Sequence, residues 1–172
     1  PSILEGFVDF AMEISVIGAR GRDGSIRCYD APRNIHKDGI LRRSIVPSSA
    51  PDAAVKEAIA ITSKMLEALD YVGVIGVEFF VIRDAFPPHP EEARSSVTKG
   101  ESRVIVNEFA PRVHNSGHWT TDACAISQFE QHIRAVAGWP LGDPARHSDC
   151  VMDNLIGDEV GRWRELSREP NS

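Results

Sequence analysis

Two apolar segments separated by a polar insertion constrain this chain more than any other feature of its sequence. Residues 74–82 and 103–109 are rich in β-branched and aromatic side chains, which is typical of buried strands. Residues 84–100, between them, contain prolines and charges that interrupt both patterns. We therefore expect the two segments to pair as an antiparallel hairpin whose connection is a long inserted loop.

Two further segments predict helices. Residues 51–69 carry apolar side chains at helical spacing, and a helix is the structure that this period favours. Residues 127–138 begin with Ser127 followed three positions later by Glu130, the pattern of a reciprocal capping box. Helices combined with antiparallel strands predict an α+β fold, and we expect an antiparallel sheet with both helices packed on one face.

The remaining segments predict shorter elements. Residues 14–17 and 26–29 flank an Asp-Gly turn and predict a second hairpin. Residues 30–50 contain prolines and a glycine and are expected to be a loop. The apolar positions that follow residue 150 predict a last strand.

Composition excludes several classes of protein. The 172 residues include 42% hydrophobic side chains and have a formal charge of −6, so a disordered chain, a nucleic-acid partner and a membrane-surface partner are not expected. No apolar run approaches the roughly 20 residues that span a bilayer, and no secretory leader is visible. The cysteines, Cys28, Cys124 and Cys150, are widely spaced without a C-x-x-C pair, which favours reduced thiols and a cytoplasmic protein.

Two glutamates are candidate metal ligands. Glu78 interrupts an apolar strand, and Glu108 lies at the end of its predicted neighbour. A buried glutamate requires a partner, and for one such residue alone an ion pair with arginine would be the simpler explanation. Because Asn107 and Arg112 flank Glu108, we favour two carboxylates that share one face of the sheet and hold Mg²⁺.

The segment that follows Glu108 is rich in polar chemistry. His114 and His118 have the i, i+4 spacing of a helical zinc motif, but Gly117 and the preceding Pro111 disfavour a helix and the glutamate of a zinc hydrolase is missing. An isolated histidine pair on a polar loop is usually only solvated. Here Arg112, His114 and Asn115 crowd one short loop, and we favour an anion or carbonyl site.

These residues also carry a resemblance to a known family. EFAPRVHNSGHWTTD at 108–122 and AISQFEQHIRA at 125–135 resemble 5-(carboxyamino)imidazole ribonucleotide synthetase, of the ATP-grasp superfamily. Segments 3–8, 13–16, 36–42 and 153–158 also fit that family. The similarity covers most of the chain except residues 84–100 and the last few positions.

The resemblance implies a fold, an activity and its ligands. The fold would be the second half of an ATP-grasp domain, and the enzyme would be a ligase of purine biosynthesis that forms a carbon–nitrogen bond. Its substrates would be ATP, bicarbonate and 5-aminoimidazole ribonucleotide, which is carboxylated through carboxyphosphate. The cofactor would be Mg²⁺, with Mn²⁺ as an alternative, and the full-length enzyme would be a homodimer.

The resemblance also implies roles for individual residues. Glu78 and Glu108 would be the metal ligands. The residues implied to bind the nucleotide are Glu5, Gly6, Phe7 and Val8 at the adenine edge, Glu13 at the ribose hydroxyls, and His36, Asn107 and Glu108. The residues implied to hold bicarbonate, carboxyphosphate or the imidazole substrate are Arg112, His114 and Asn115.

The chain also departs from the family. It opens at Pro1 rather than at methionine, and the lysines and glycine-rich loop that cover the phosphates in the family are missing. We expect residues 1–150 to be the carboxy-terminal part of an ATP-grasp domain, with 84–100 inserted, and 151–172 to begin a truncated small domain. An inactive remnant that binds Mg-nucleotide weakly is the alternative to the ligase. A bare interaction module is disfavoured because it would not need these polar residues.

Overall fold

The computed structural model of the chain describes residues 4, 6–83 and 103–169. Within these residues the strands are β1 (Phe10–Arg20), β2 (Ile26–Cys28), β3 (Arg33–Lys37), β4 (Ile40–Val46), β5 (Gly73–Ile82), β6 (Val104–Ala110) and β7 (Cys150–Asp153). They form one sheet in the order β6-β5-β1-β3-β4-β7, with β2 paired to the end of β1. Every pairing is antiparallel, which confirms the predicted α+β class.

Helices pack against this sheet and follow its last strand. The α-helices of the described residues are α1 (Asp52–Ala68), α2 (Thr120–Ala123), α3 (Gln128–Ala137) and α4 (Trp163–Leu166). The described part of the chain also contains 3-10 helices at Asn115–Gly117 and Gly157–Arg162. Among the residues described, none of the helices has the length and apolar character needed to cross a membrane.

Helix α1 packs on one face of the central strands. The buried core on this face joins the strand and helix residues Ile14, Val16, Ile75, Val77, Phe79, Val81, Ala54, Ala58 and Leu66. A side chain at Gly18 would bring its Cβ within 2.8 Å of the Thr62 methyl carbon, so a glycine on β1 lets the helix approach closely. The predicted boundaries 51–69 differ from the observed helix by one residue at each end.

Helix α3 lies on the opposite face, which corrects the expectation that both helices share one face. Ile75 belongs to the α1 core, whereas a Cβ at the next residue, Gly76, would meet His114. Successive strand residues point to opposite faces, and Gln128 of α3 is hydrogen-bonded to the main chain of His114. An amphipathic pattern predicts which side of a helix is buried, but it carries no information about which face of a sheet the helix covers.

The predicted start of α3 is confirmed in part. The Ser127 hydroxyl accepts a hydrogen bond from the Glu130 amide at 3.2 Å. The Glu130 carboxylate does not complete the reciprocal pattern and instead forms an ion pair with Arg134 at 2.7 Å. The helix ends at Gly138 with φ 77°, a left-handed conformation that glycine adopts without strain.

The prediction of a loop over residues 30–50 is wrong, because this segment contains the hairpin of β3 and β4. The hairpin turn is Asp38-Gly39, with φ values of 54° and 72°, and positive φ at both positions is typical of a type I′ turn. Asn34 on β3 is buried and accepts a hydrogen bond from Ser44 on β4 at 2.9 Å. The Asp38-Gly39 dipeptide indicates this turn in the sequence, but Pro32 and Pro47 on either side of it favour a loop.

The two predicted hairpins are confirmed. Residues of β1 and β2 pair from Gly18 with Cys28 to Arg20 with Ile26, and β5 pairs with β6 as far as Val81 with Val104. The inserted loop predicted at 84–100 lies outside the described residues.

Candidate functional site

Two carboxylates meet across the β5–β6 ladder. Glu78 is the register partner of Glu108 on β6 and of Ser15 on β1. The residue is only 8% exposed, and burial raises the pKa of Glu78, with Glu108 and Glu13 raising it further and His36 opposing them. A cation placed between the two carboxylates would offset this cost.

A β-bulge in β6 directs two successive side chains to the same cavity. Glu78 pairs with Glu108, but the next residue of β5, Phe79, pairs with Val106, so Asn107 is the extra residue of β6. Consecutive residues of a regular strand point to opposite faces, and a bulge relaxes that rule. Asn107 and Glu108 consequently line one cavity.

A histidine connects the carboxylates of neighbouring strands. Nδ1 of His36, on β3, lies 2.6 Å from Oε2 of Glu13, on β1. Nε2 of the same ring is 3.9 Å from Oε1 of Glu78. His36 is therefore hydrogen-bonded to Glu13 and lies beside Glu78, and all three residues line the same cavity.

Close packing and two hydrogen bonds hold His114 against β5. A Cβ at Gly76 would lie 2.6 Å from the Cβ of His114, so glycine at that position makes room for the imidazole. Gln128 accepts a hydrogen bond from the His114 amide at 3.0 Å and donates one to its carbonyl at 2.6 Å. Burial lowers the pKa of His114, and the nearby Arg112 guanidinium lowers it further.

These groups enclose a cavity of about 270 Å³. Its lining residues are Glu13, His36, Gly39, Leu41, Glu78, Asn107, Glu108, His114 and Asn115. Sequence reasoning missed Gly39 and Leu41 as part of the lining, because the β3–β4 hairpin that presents them was expected to be a loop. The lining is dominated by carboxylates, imidazoles and amides, which suits a metal–phosphate ligand better than an apolar one.

Other predicted residues are not among the lining residues of this cavity. Arg112 is exposed, is not among the cavity's lining residues, and donates to the Val113 carbonyl at 2.9 Å. Gly6 and Phe7 are exposed and Val8 is half-buried, and none of the three lines the cavity. Glu5 lies outside the described residues.

Among the residues that the structure describes, three potential metal ligands come together in this cavity. An oxygen of Glu78, an oxygen of Glu108 and a ring nitrogen of His114 all lie within 4.8 Å of one another. His118 stands apart from this group, because its ring is exposed and packs against Phe129 with centroids 5.4 Å apart. Two carboxylate oxygens fit a hard cation such as Mg²⁺.

Known proteins are similar to this chain in sequence. An ATP-grasp domain matches residues 1–129. An N5-carboxyaminoimidazole ribonucleotide synthase of Brucella melitensis is 52% identical over 172 residues, which are 100% of this chain and 43% of the relative. The chain thus spans about two fifths of the length of the curated relatives it matches.

Solved structures of similar enzymes share the fold. A crystal structure of an ADP complex of N5-carboxyaminoimidazole ribonucleotide synthetase superposes with a TM-score of 0.81 at 36% identity, covering 94% of this chain and 39% of the other. The Aspergillus clavatus N5-carboxyaminoimidazole synthase in complex with ADP and 5-aminoimidazole ribonucleotide gives 0.80 at 28% identity, covering 96% and 42%. Matched over residues 1–129, the chain belongs to the ATP-grasp family.

Proposed function

We propose that this chain forms part of an ATP-grasp ligase that carboxylates 5-aminoimidazole ribonucleotide to its N5-carboxyamino form, using ATP and bicarbonate through carboxyphosphate. The observation that carries the proposal is the pairing of Glu78 with Glu108 beside Glu13 and His36, in a cavity lined by polar side chains. The similar enzymes with ADP, and with ADP and 5-aminoimidazole ribonucleotide, support the choice of substrates.

Glu78 and Glu108 are the proposed ligands of Mg²⁺, or of Mn²⁺ in its place. The residues fit such an ion, because the buried Glu78 carboxylate has a raised pKa and faces a second carboxylate. When bound, the ion would neutralise charge on the nucleotide phosphates. The protein's part is to hold the two carboxylates at fixed positions on adjacent strands.

Glu13, His36 and Asn107 are the proposed nucleotide contacts within the cavity. The Glu13 carboxylate, already oriented by His36, has a further oxygen available to accept from ribose hydroxyls. The exposed segment of Gly6, Phe7 and Val8 is proposed to offer backbone groups to the adenine edge, together with Glu5.

Arg112, His114 and Asn115 are proposed to hold bicarbonate, carboxyphosphate or the imidazole substrate. His114 and Asn115 line the cavity beside the carboxylates. The exposed Arg112 guanidinium lies close enough to lower the pKa of His114, and its planar fork is suited to an oxyanion at the cavity mouth.

A second candidate is weak binding of Mg-nucleotide by this chain without turnover. Three further points are proposals as well: a domain boundary at residue 150, a cytoplasmic location, and a homodimer of the full-length enzyme.

Calorimetric titration of the purified chain with ADP, with and without Mg²⁺, tests the site. We expect Mg²⁺-dependent binding, and its absence would contradict the proposed nucleotide site. Phosphate release in the presence of ATP, Mg²⁺, bicarbonate and aminoimidazole ribonucleotide then separates the two candidates. Release above background that depends on the ribonucleotide supports the ligase, whereas binding without release supports the second candidate.

A further inference from the structure

The two ring nitrogens of His114 have different surroundings. Nδ1 faces buried groups, and Nε2 faces the cavity. We propose that Ser116, backed by Ser15, fixes the neutral His114 ring with its proton on Nε2. His114 then donates a hydrogen bond into the cavity and is not a ligand of the cation. Ser15 and Ser116 are thus positioning residues, which act on the cavity only through His114.

The hydrogen bonds at Nδ1 of His114 have a defined direction. The backbone amide of Ser116 donates a bifurcated hydrogen bond, whose shorter arm reaches Oδ1 of Asn115 at 2.9 Å and whose longer arm reaches Nδ1 of His114 at 3.4 Å. A backbone N–H can only donate, so Nδ1 accepts and carries no proton. The Ser116 hydroxyl lies closer, 2.9 Å from the same nitrogen.

A pair of buried hydroxyl groups, those of Ser15 and Ser116, lies next to the ring. The Ser15 hydroxyl donates to the Ser116 hydroxyl oxygen at 2.7 Å, and both residues are 0% exposed. Within the described residues, the Ser116 hydroxyl has hydrogen-bond partners only in Ser15 and His114. Since it accepts from Ser15, its own proton is directed to Nδ1, because a buried hydroxyl proton without an acceptor is costly.

The consequence is a division of roles in the cavity. Nε2 of His114, 4.0 Å from Oε1 of Glu78, carries the only ring proton. A nitrogen ligates a metal through an unprotonated lone pair, so Glu78 and Glu108 remain as ligands of the cluster. The Nε2–H group is a donor for an oxyanion, and this last step rests on the proposed function.

Long-range ¹H–¹⁵N correlation NMR of the ¹⁵N-histidine-labelled chain at about pH 8, where histidines are largely neutral, reads the tautomer directly. The His114 signals are assigned by their loss in His114→Gln. We expect a protonated-type shift for Nε2 and an unprotonated-type shift for Nδ1, both retained after Mg²⁺ is added. A protonated Nδ1, or loss of the Nε2–H pattern on adding Mg²⁺, would overturn the inference.

Two serine variants test the positioning role. Ser116→Ala should let the Nδ1-protonated form appear, whereas Ser63→Ala should leave the His114 pattern unchanged because that hydroxyl bonds to Ile59 on α1. An unchanged tautomer in a folded Ser116→Ala variant would refute the role of Ser116. The wild-type spectrum decides the tautomer even if Ser116→Ala does not fold. If the predicted tautomer is found in a chain that binds no Mg-ADP, the inference stands and the proposed function fails.

Discussion

Glu78 on β5 lies directly opposite Glu108 on β6, and this pairing places two carboxylates on one face of the sheet. Glu78 is almost fully buried, so the pair is unfavourable unless a proton or a cation intervenes. This unfavourable pairing of two carboxylates is confined to one position of the sheet. The hydrophobic core on the opposite face of β5 supplies stability that offsets its cost.

Replacing Glu78 by glutamine should stabilise the chain at neutral pH in the absence of divalent cations. The folded pKa of Glu78 is raised by burial, so folding disfavours the ionised carboxylate. The penalty is absent below the ordinary carboxyl pKa of about 4.3 and develops as pH rises through the folded value. The advantage of Glu78→Gln should therefore be present at about pH 8 and shrink toward about pH 4.

Urea unfolding with EDTA at both pH values measures this difference. Glu67→Gln is the matched control, because Glu67 is exposed on α1. A Glu78→Gln variant less stable than the wild type at about pH 8 would show that Glu78 already has a compensating partner in the apo chain.

Gly76→Ala should destabilise the fold and displace His114. The new methyl group would lie 2.6 Å from the His114 Cβ and 2.8 Å from its Cγ, and overpacking of this kind costs about 1–3 kcal/mol. Gly161→Ala is the control, since no atom lies within 4 Å of its added methyl group. Chemical denaturation of both variants checks the prediction, and equal stabilities would contradict the described packing of His114 on β5.

Replacing each of the two buried glutamines of α3 distinguishes an effect on stability from an effect on the geometry of the site. Gln128 forms two hydrogen bonds with the main chain of His114, and Gln131 forms two with the main chain of Gly142. Methionine at either position leaves buried groups unpaired, at about 1–3 kcal/mol for each group. Both variants should unfold at lower urea concentration than the wild type, but only Gln128→Met should shift the His114 NMR signals. A similar shift in Gln131→Met would mean that the helix moves as a whole.

Much of this fold could be predicted from the sequence because hydrophobic periodicity and turn chemistry act locally. The span of α1 and the hairpin of β5 and β6 follow from apolar spacing alone. The hairpin of β3 and β4 is harder to predict, because Pro32 and Pro47 flank it and favour a loop, although Asp38-Gly39 is the same turn dipeptide as Asp23-Gly24.

The sequence predicts which types of residue form the site but not how they are arranged. A buried glutamate and a polar loop after β6 indicated which residues matter, and the family resemblance extended that set. The bulge that turns Asn107 and Glu108 to one cavity depends on a register shift between strands, which no periodicity in β6 encodes. The burial of Ser15 and Ser116 beneath His114 joins residues 101 positions apart and emerges only from the packed structure.

The most direct test of the central claim is the binding of a metal by Glu78 and Glu108. Mn²⁺ serves as a paramagnetic probe, and the loss of its free-ion EPR signal measures binding to the chain in the presence of ADP. We expect Glu108→Gln to weaken Mn²⁺ binding at least about tenfold, which corresponds to about 1.4 kcal/mol, while the Glu67→Gln control binds as the wild type does. Equal Mn²⁺ affinity in Glu108→Gln and the wild type would contradict the assignment of this carboxylate pair as the metal site.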